Sequence, residues 1–352
     1  MAINIICEEA FEKSIWCKQL LSGLTSELKK KRLHYDKYSH IDAVENNTTV
    51  YIVGTNYNWL NHAIRVCNSK GIVPIILCNQ ANRVIRGQYH GVCADTYNIM
   101  KQLYEHFSHE GKKEIALYGV NPLSVSDTSR MEYFLDFVQN SAHVYKNNGN
   151  LDECFKNFLP HLCNYDVVIC VNNYAAISLV KKIEALDVKL LKNCTVVSCT
   201  ETMISSQYKN RIAFVNQNLT QYGKAAISLS EMTENCPFVS TITITIPGII
   251  SDTMPVISSI DIHSNIDAPQ ADLFYDDTEL SNMLKLDHLL SECTATDQQI
   301  ISLLLKDETY SKIAELCYLS ESTVKYHIKK YMAICQVKTK QELLDFFKNY
   351  YA

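Results

Sequence analysis

The chain contains 352 residues, of which 47% are hydrophobic and 20% are charged, and its formal net charge is −5 at pH 7. This composition excludes long-range disorder, and the length predicts two or three folding units that are each large enough to bury a core. Because the balance of charge is acidic, any nucleic-acid binding must rest on a local basic face.

The cysteines and the apolar runs indicate the cellular compartment of the protein. The fourteen cysteines are scattered without a CxxC pair, which fits neither a disulfide framework nor a zinc site. Most of them stand in apolar runs, so we expect reduced core thiols, with no bound metal or other cofactor. Glu8 and Glu9 interrupt the first apolar run, and no stretch reaches the ~20 apolar residues of a membrane helix. We therefore expect a cytoplasmic protein without a membrane segment.

From residue 1 to about 262, short apolar runs alternate with longer amphipathic stretches. The predicted strands cover residues 4–7, 50–53, 73–77, 115–118, 167–171 and 195–198. The predicted helices cover residues 14–30, 59–70, 97–109, 129–139, 174–186 and 219–233. Regular alternation predicts doubly wound α/β structure, a parallel sheet with helices on both faces. The number of elements predicts two lobes, with ligands bound in a cleft between them at the carboxyl ends of the strands.

Residues 263–290 differ in character, because they hold six acidic residues and one lysine. We interpret this segment as an acidic linker whose second half forms a helix. Leu280, Met283, Leu284, Asp287 and Leu290 recur near helical spacing there. This stripe is compatible with a dimer helix and equally with packing on the body of the protein.

Residues 291–352 predict a small all-α domain of four short helices. Helical patterns cover 297–305, 310–317 and 321–334, and a fourth helix follows residue 339. Thr294 with Asp297, and Thr339 with Glu342, have the spacing of capping boxes, and Ser320 is the expected N-cap of the third helix. Within that helix Val324, His327 or Ile328, Tyr331 and Cys335 form one apolar stripe.

Positive charge is concentrated around the third helix. Residues 322–341 contain five lysines and no acid, although residues 292–352 balance eight lysines against eight acids. Lysines neutralise phosphates, and short polar side chains at a helix start reach base edges. The pattern favours a recognition helix, but a solvated lysine face on an ordinary helical domain would look similar.

The order of residues in this segment resembles the LuxR-type helix-turn-helix family. The matching residues are Thr294, Ile300, Ile301, Leu303, Leu304, Ile313, Ala314, Leu319, Ser320, Glu321, Thr323, Val324, Lys325, His327, Val337, Glu342 and Leu343. Asp297 departs from the family by replacing its usual Glu, and Asp307 and Tyr318 stand where the family often has Gly.

The resemblance implies binding of double-stranded DNA by a homodimer. The third helix and its lysines supply the expected DNA-binding residues, Ser322, Thr323, Val324, Lys325, Tyr326, Lys329 and Lys330. By resemblance, Thr323, Val324 and Lys325 enter the major groove, and Lys329 and Lys330 lie near phosphates. We expect His327 to pack or to hydrogen-bond locally.

Residues 1–262 resemble the sensor domains of lactose-repressor-type proteins, which share the type I fold of periplasmic sugar-binding proteins. Val215, Gln217, Gly223 and Ala226 within 212–226 match that pattern, and further matches lie at 91–95, 115–119 and 167–175. The resemblance implies lobe 1 at about 1–111 and 215–236, and lobe 2 at about 112–214 and 237–262. That family places its helix-turn-helix before the sensor, whereas this chain places one after it.

The same resemblance implies four effector-binding residues, Trp16, Asp95, Arg130 and Asn173. Trp16 would stack on a sugar or base, Arg130 would fork hydrogen bonds to hydroxyls or a carboxylate, and the other two would fix polar edges. Asn173 and Thr200 stand where the family often has acids. Local roles compete with binding, since Trp16 suits a core position, Arg130 an ion pair and Asp95 a helix N-cap.

The sequence thus predicts a DNA-binding transcriptional regulator controlled by a sugar, a nucleoside or a similar polar metabolite. A response regulator is a weaker alternative, because a receiver needs ~120 residues rather than 260 and Gly54-Thr55 follows a strand where no phosphoacceptor Asp stands. A receptor that does not bind DNA is disfavoured by the missing signal peptide. We do not expect an enzyme, because no GxxxxGK, GxGxxG, HExxH or GxSxG motif occurs.

Overall fold

A computed structural model describes most of the chain. The described residues are 2–9, 12, 14–38, 40–46, 48–78, 85–186, 194–236, 238–250, 256–257 and 277–351. The first half of the predicted acidic linker, residues 263–276, lies outside them.

Strands and helices alternate through the described part of the chain. Strands β1 to β13 are, in order, Ala2–Cys7, Asp36–Tyr38, Thr48–Val53, Ile75–Leu77, His90–Ala94, Ile115–Val120, Val144–Lys146, Val167–Cys170, Cys194–Ser198, Ala213–Asn216, Thr243–Ile246, Ile249–Ile250 and Val256–Ile257. Helices α1 to α12 are, in order, Ile15–Lys30, Tyr57–Ser69, Thr96–His109, Val125–Val138, Leu151–Phe158, Asn173–Glu184, Leu219–Asn235, Thr278–Glu292, Ala295–Leu305, Tyr310–Cys317, Glu321–Cys335 and Lys340–Tyr350. All six predicted strands and the predicted α/β class are confirmed.

The chain divides into two compact units. The first unit comprises Met1–Lys113, Leu123–Ser141 and Val215–Ser251, and its strands form one parallel sheet in the order β11-β5-β4-β3-β1-β2. Successive residues of a strand point to opposite faces, so Ile5 packs with α1 and α7 whereas Ile6 packs with α2. Both faces are therefore covered, as a parallel sheet requires.

Two glycines bring α1 and α7 of the first unit into backbone contact. A Cβ on Gly23 would lie 2.2 Å from the Thr220 carbonyl oxygen, and one on Gly223 would lie 2.0 Å from the Leu24 nitrogen. Any side chain at either position would collide with the backbone, so the absence of a Cβ sets the spacing of this helix pair.

The second unit comprises Glu114–Pro122, Ala142–Phe214 and Asp252–Ala352. Its parallel strands have the order β7-β6-β8-β9-β10, and β13 pairs antiparallel with β9. Tyr118 of β6 and Phe158 of α5 lie edge to face in the core with their ring centres 5.2 Å apart. The sheet is again covered by helices, among them α6, whose Ala175 Cβ would lie 2.6 Å from a Cβ on Gly119.

The unit boundaries differ from the predicted lobes in two places. Residues 237–250 were predicted in lobe 2, but β11 pairs with β5 and so belongs to the first sheet. Helix α4 was also predicted in lobe 2, but it packs on α3, where the rings of Tyr97 and Tyr133 lie 5.4 Å apart. Strand pairing and helix packing are long-range contacts, which a local pattern does not specify.

The four predicted C-terminal helices are α9 to α12, and each begins within three residues of its predicted start. Helix α8 precedes them and forms the second half of the predicted linker. Its Leu280, Met283 and Leu290 are buried, and only Leu284 of the apolar stripe is exposed. Of the two readings left open, packing on the body is therefore the one observed within the second unit.

All fourteen cysteines are free thiols, and ten of them are buried. Among the described residues, no helix combines the length and the apolar character needed to cross a membrane.

Candidate nucleic-acid interface and effector site

The amino end of α11 carries three neighbouring hydroxyl groups. Ser320 is the N-cap, and its Oγ accepts a hydrogen bond from the Thr323 backbone nitrogen at 3.1 Å. The Ser322 and Thr323 hydroxyls lie 2.7 Å and 2.8 Å from that Oγ. The predicted cap is confirmed, and the helix start presents short polar groups to solvent.

The exposed face of α11 is basic. Ser322, Lys325, Tyr326 and Lys329 are exposed, whereas Thr323 and Lys330 are half-buried. Lys325 pairs with Glu321 at 2.7 Å, and Lys330 lies 3.6 Å from Glu292. Such solvent-exposed ion pairs contribute little stability, so both ammonium groups can exchange these partners for phosphates at small cost.

Val324 requires a correction. The resemblance placed it in the major groove, but its side chain is fully buried in the helical core. It shares the buried stripe with Ile328, Tyr331 and Cys335, as the helical periodicity predicted. Val324 therefore packs beneath the exposed basic face of α11, and its side chain has no surface there to offer to a ligand.

A buried carboxylate joins α9 to α11. Asp297 Oδ1 accepts hydrogen bonds from the Tyr331 hydroxyl at 2.6 Å and lies 2.7 Å from His327 Nδ1, while Oδ2 accepts from the Thr294 nitrogen at 2.8 Å and the Thr294 hydroxyl at 2.7 Å. The predicted capping box of Thr294 is thus formed. His327 hydrogen-bonds within the domain, as expected.

The electrostatics of this carboxylate follow from its partners. Burial alone would raise the pKa of Asp297, but the hydrogen bonds from the three partners outweigh it and hold the pKa well below its usual range. Burial also raises the pKa of Tyr331, and the hydrogen bond to Asp297 adds to that effect. The shorter Asp, which replaces the family's usual Glu, is therefore a fully engaged structural group.

Non-glycine residues occupy left-handed conformations at the turns of this domain. Asp307 and Tyr318 both have φ of 57°, as expected for positions where the family often has Gly. Gln336, which ends α11, has φ of 58° and was not anticipated. Tyr318 is 96% exposed, so its ring gains no packing in return for the backbone strain.

Lys340 extends the basic face beyond the predicted residues. Its Nζ lies 4.9 Å from the centre of the Tyr310 ring, and Lys325 Nζ lies 6.0 Å from the same ring. The run of five lysines already contained this residue, but only folding brings α12 beside α10 and α11.

Of the four predicted effector residues, three lie in the first unit. Trp16 is half-buried against the core, and its indole nitrogen is buried with no hydrogen-bond partner among the described residues. Asp95 follows β5, and its Oδ2 accepts a hydrogen bond from Asn98 at 2.7 Å. Arg130 forms a buried ion pair with Asp127, with 3.1 Å between Nη1 and Oδ1. Trp16 can thus still donate a hydrogen bond and Asp95 can still accept further ones, whereas Arg130 already has a charged partner.

Asn173 lies in the second unit, at the first turn of α6 after β8. Its backbone nitrogen donates to Thr200 Oγ1 at 3.0 Å, that hydroxyl donates to Asn173 Oδ1 at 3.0 Å, and Asn173 Nδ2 donates to Thr202 Oγ1 at 2.8 Å. The two positions where the family often has acids thus carry neutral groups that satisfy each other.

Comparison with known proteins agrees with this organisation. Residues 291–347 match the family model described as bacterial regulatory proteins, luxR family. No curated protein matches the sequence.

Solved structures resemble the larger part of the chain. A transcriptional regulator CelR in complex with cellobiose is 10% identical, with a TM-score of 0.57 over 72% of this chain and 83% of that chain. A LacI family transcriptional regulator from Enterococcus faecalis V583 with bound ribose is 13% identical, with a TM-score of 0.55 over 74% of this chain and 100% of that chain. The lac repressor dimer bound to operator and the anti-inducer ONPF is 12% identical, with a TM-score of 0.55 over 73% and 94%.

At such low identity these likenesses concern the fold alone. Together with the family match, they confirm the two-part organisation expected from the sequence. The chain therefore carries a C-terminal DNA-binding domain of the luxR family of bacterial regulatory proteins, behind an N-terminal region with the fold of LacI-family sensor domains.

Proposed function

We propose that this protein is a cytoplasmic transcriptional regulator whose affinity for double-stranded DNA is controlled by a small polar metabolite. The main observation in support is the exposed basic face of α11, with Lys325, Lys329 and the hydroxyls of its first turn, on an otherwise acidic chain. The role is regulatory and not catalytic.

The proposed DNA contacts divide into two kinds. Ser322 and Thr323 lie at the amino end of the helix, where side chains reach base edges in a major groove. Lys325, Lys329 and Lys330 supply positive charge for phosphates, which positions the helix without reading sequence. Tyr326, which is 67% exposed on the same helix, adds a surface for sugar or base contact.

The effector is proposed from the sensor fold and from one polar group that has no hydrogen-bond partner among the described residues. Solved structures with this fold hold cellobiose or ribose, and the buried indole N–H of Trp16 has no acceptor among the described residues. A hydroxyl-rich ligand such as a sugar or nucleoside supplies that acceptor, and the Asp95 carboxylate can accept from its hydroxyls. To bind the ligand, Arg130 would have to divide its guanidinium hydrogen bonds between the ligand and Asp127. Asn173 would have to release its hydrogen bond to Thr200 or Thr202.

We further propose that the protein acts as a homodimer. A two-fold dimer presents two recognition helices to half-sites ~34 Å apart, which matches one turn of DNA. Among the related folds, the lac repressor structure is a dimer on its operator.

DNA binding is tested by fluorescence anisotropy on sheared genomic fragments at several salt concentrations. Lys325→Ala combined with Lys329→Ala should weaken binding, and the slope of log K against log salt should fall by about 1 for each phosphate contact removed. Lys348→Ala is the matched control, since Lys348 is an exposed lysine of α12 outside the 322–341 run. Absence of binding by the unmodified protein at low salt would refute the proposal that the protein is a DNA-binding regulator.

Effector binding is tested by thermal shift with sugars, nucleosides and carboxylates. A true effector at 100 times its Kd stabilises the protein by about 2.7 kcal/mol, which a melting curve resolves easily. Trp16→Phe should reduce that shift, because it keeps an aromatic ring and removes the unpartnered N–H. Failure of the whole set with folded protein would contradict small-molecule control by these ligand classes.

A further inference from the structure

Helix α8 is attached to the second unit by a carboxylate that caps two helices. Asp277 Oδ1 accepts hydrogen bonds from the backbone nitrogens of Glu279 and Leu280 at the start of α8, at 2.9 Å and 3.4 Å. Its Oδ2 accepts from the backbone nitrogen of Leu151, the first residue of α5, at 3.1 Å. Because the side chain is buried, this double cap fixes the amino end of α8 on the sensor fold.

Two further acids attach the same helix along its length. Glu279 accepts from the Ser178 hydroxyl at 3.0 Å and pairs with Lys182 on α6. Asp287, which is 2% exposed, accepts from the Tyr174 hydroxyl at 2.8 Å and from the Ile204 backbone nitrogen at 2.7 Å. The acidic residues of the predicted linker are thus structural contacts in its second half.

Helix α8 also packs against the helices of the DNA-binding domain. Met283, Leu286, Leu289 and Leu290 join a core that is continuous with buried residues of α9, α11 and α12. Tyr350 of α12 adds polar contacts, since its hydroxyl accepts from Asn282 at 3.3 Å and the Lys181 ammonium lies 4.2 Å from its ring centre. A shift of α8 therefore moves the packing surface of the recognition helix.

A short hydrogen-bonded path leads from the carboxyl ends of β8 and β9 to α8. Asn173 Nδ2 donates to Thr202 Oγ1 at 2.8 Å. The loop that carries Thr202 continues to Ile204, whose nitrogen donates to the Asp287 carboxylate. Asn173 is the predicted effector residue of this unit, so one side-chain hydrogen bond and the loop from Thr202 to Ile204 connect it to Asp287.

We propose that Asp287 is a positioning residue that carries changes at the Asn173–Thr200–Thr202 network into α8 and so into the seating of the DNA-binding domain. This inference rests on the proposed function, because it assigns the regulation of the proposed effector site. An effector that takes a hydrogen bond from Asn173 or Thr200 leaves Thr202 with a changed set of partners. The loop from Thr202 to Ile204 then shifts, and the hydrogen bond from the Ile204 nitrogen to Asp287 strengthens or weakens, which gives the two states that such coupling requires.

The test uses amide hydrogen exchange of the full chain, with Asn173→Ser standing in for the effector. This substitution should raise exchange in residues 278–292 about fivefold, because it removes the donor to Thr202. Thr202→Val should act in the same direction. Tyr145→Phe is the matched control: it removes the buried 2.8 Å hydrogen bond to Tyr165 in the same unit, away from α8, and should leave that exchange unchanged.

A double-mutant comparison separates positioning from simple structural support. In an Asp287→Asn background, Asn173→Ser should change exchange in α8 much less, since only one of the two acceptor oxygens that hold Tyr174 and Ile204 remains. Additive effects, or equal responses to Asn173→Ser and Tyr145→Phe, would overturn the proposal. If Asp287→Asn does not fold, Tyr174→Phe replaces it, because it removes one donor to the same carboxylate. Since exchange needs no DNA, failure of low-salt DNA binding would remove the proposed function and leave this coupling in place.

Discussion

Polar groups serve different purposes in the DNA-binding helix and at the strand ends of the second unit. On α11, Lys325 and Lys329 are exposed, and Lys329 makes no ion pair among the described residues. At the ends of β8 and β9, Asn173 and Thr200 are instead satisfied by each other. The first surface can bind a charged partner by giving up no more than the exposed ion pair of Lys325 with Glu321, whereas the second must rearrange to bind anything. A surface of the second kind is suited to signalling, because binding there has a structural consequence.

The largest expected effect comes from breaking the sensor fold alone. Gly223→Ala places a Cβ 2.0 Å from the Leu24 nitrogen, so we expect a loss of about 3 kcal/mol or more as α1 and α7 move apart. Hydrogen exchange should accelerate in the first unit and remain unchanged in residues 295–350. Lys224→Ala, at the exposed next position, is the control. Equal acceleration in both regions would show that the chain unfolds as one unit.

The next effect concerns the DNA-binding domain. Asp297→Ala removes the acceptor for Thr294, His327 and Tyr331 in a buried site, so chemical unfolding should show a loss of about 2–3 kcal/mol. Asp345→Ala, which removes an exposed acid of α12, should change stability by less than about 0.5 kcal/mol. A similar small value for both variants would contradict the central role given to Asp297.

The DNA-binding domain and the attachment of α8 show what the sequence could and could not predict. Thr294 and Ser320 were identified as caps because each bonds to a group three residues away, which a local pattern contains. The bond from His327 to Asp297 spans 30 residues, and the one from Tyr174 to Asp287 spans 113. Such pairs depend on the final packing, so local patterns predict the elements and the basic helix but not the attachment of α8.

Strands, too, are predictable where a local pattern marks them and unpredictable where they depend on distant pairing. The first strand was predicted from its continuous apolar run, since a buried parallel strand has that character. Strand β11, Thr243–Ile246, is only partly buried, and its place beside β5 depends on pairing with a segment 152 residues earlier. The cleft residues were named by resemblance, but only the structure shows that Arg130 is already paired with Asp127.

Two buried carboxylates should respond to pH with opposite signs. Hydrogen bonds lower the pKa of Asp297 despite burial, so its contribution to stability is present above its ordinary pKa and is lost as pH falls toward the depressed value. Burial raises the pKa of Asp287, so its contribution is present below the ordinary pKa and is lost as pH rises through the raised value.

Urea midpoints measured between pH 3 and 7 test this contrast. Asp297→Asn should flatten the fall in stability as pH falls, and Asp287→Asn should flatten the fall in stability as pH rises. Asp345→Asn should change neither slope, because that carboxylate is exposed. Slopes of the same sign at both positions would show that one of the two environments has been misassigned.

The smallest effect tests the turn before the recognition helix. Tyr318 adopts φ of 57° and is 96% exposed, so replacing it with Gly removes backbone strain without losing packing. Relief of strain exceeds the added freedom of the unfolded chain, and we expect stabilisation of about 0.5 kcal/mol. Tyr318→Ala keeps the strain and should not stabilise. If Tyr318→Gly gains stability but loses affinity for genomic fragments relative to Tyr318→Ala, the turn geometry itself presents α11 to DNA. If both variants lose affinity equally, the exposed phenol ring makes the contact.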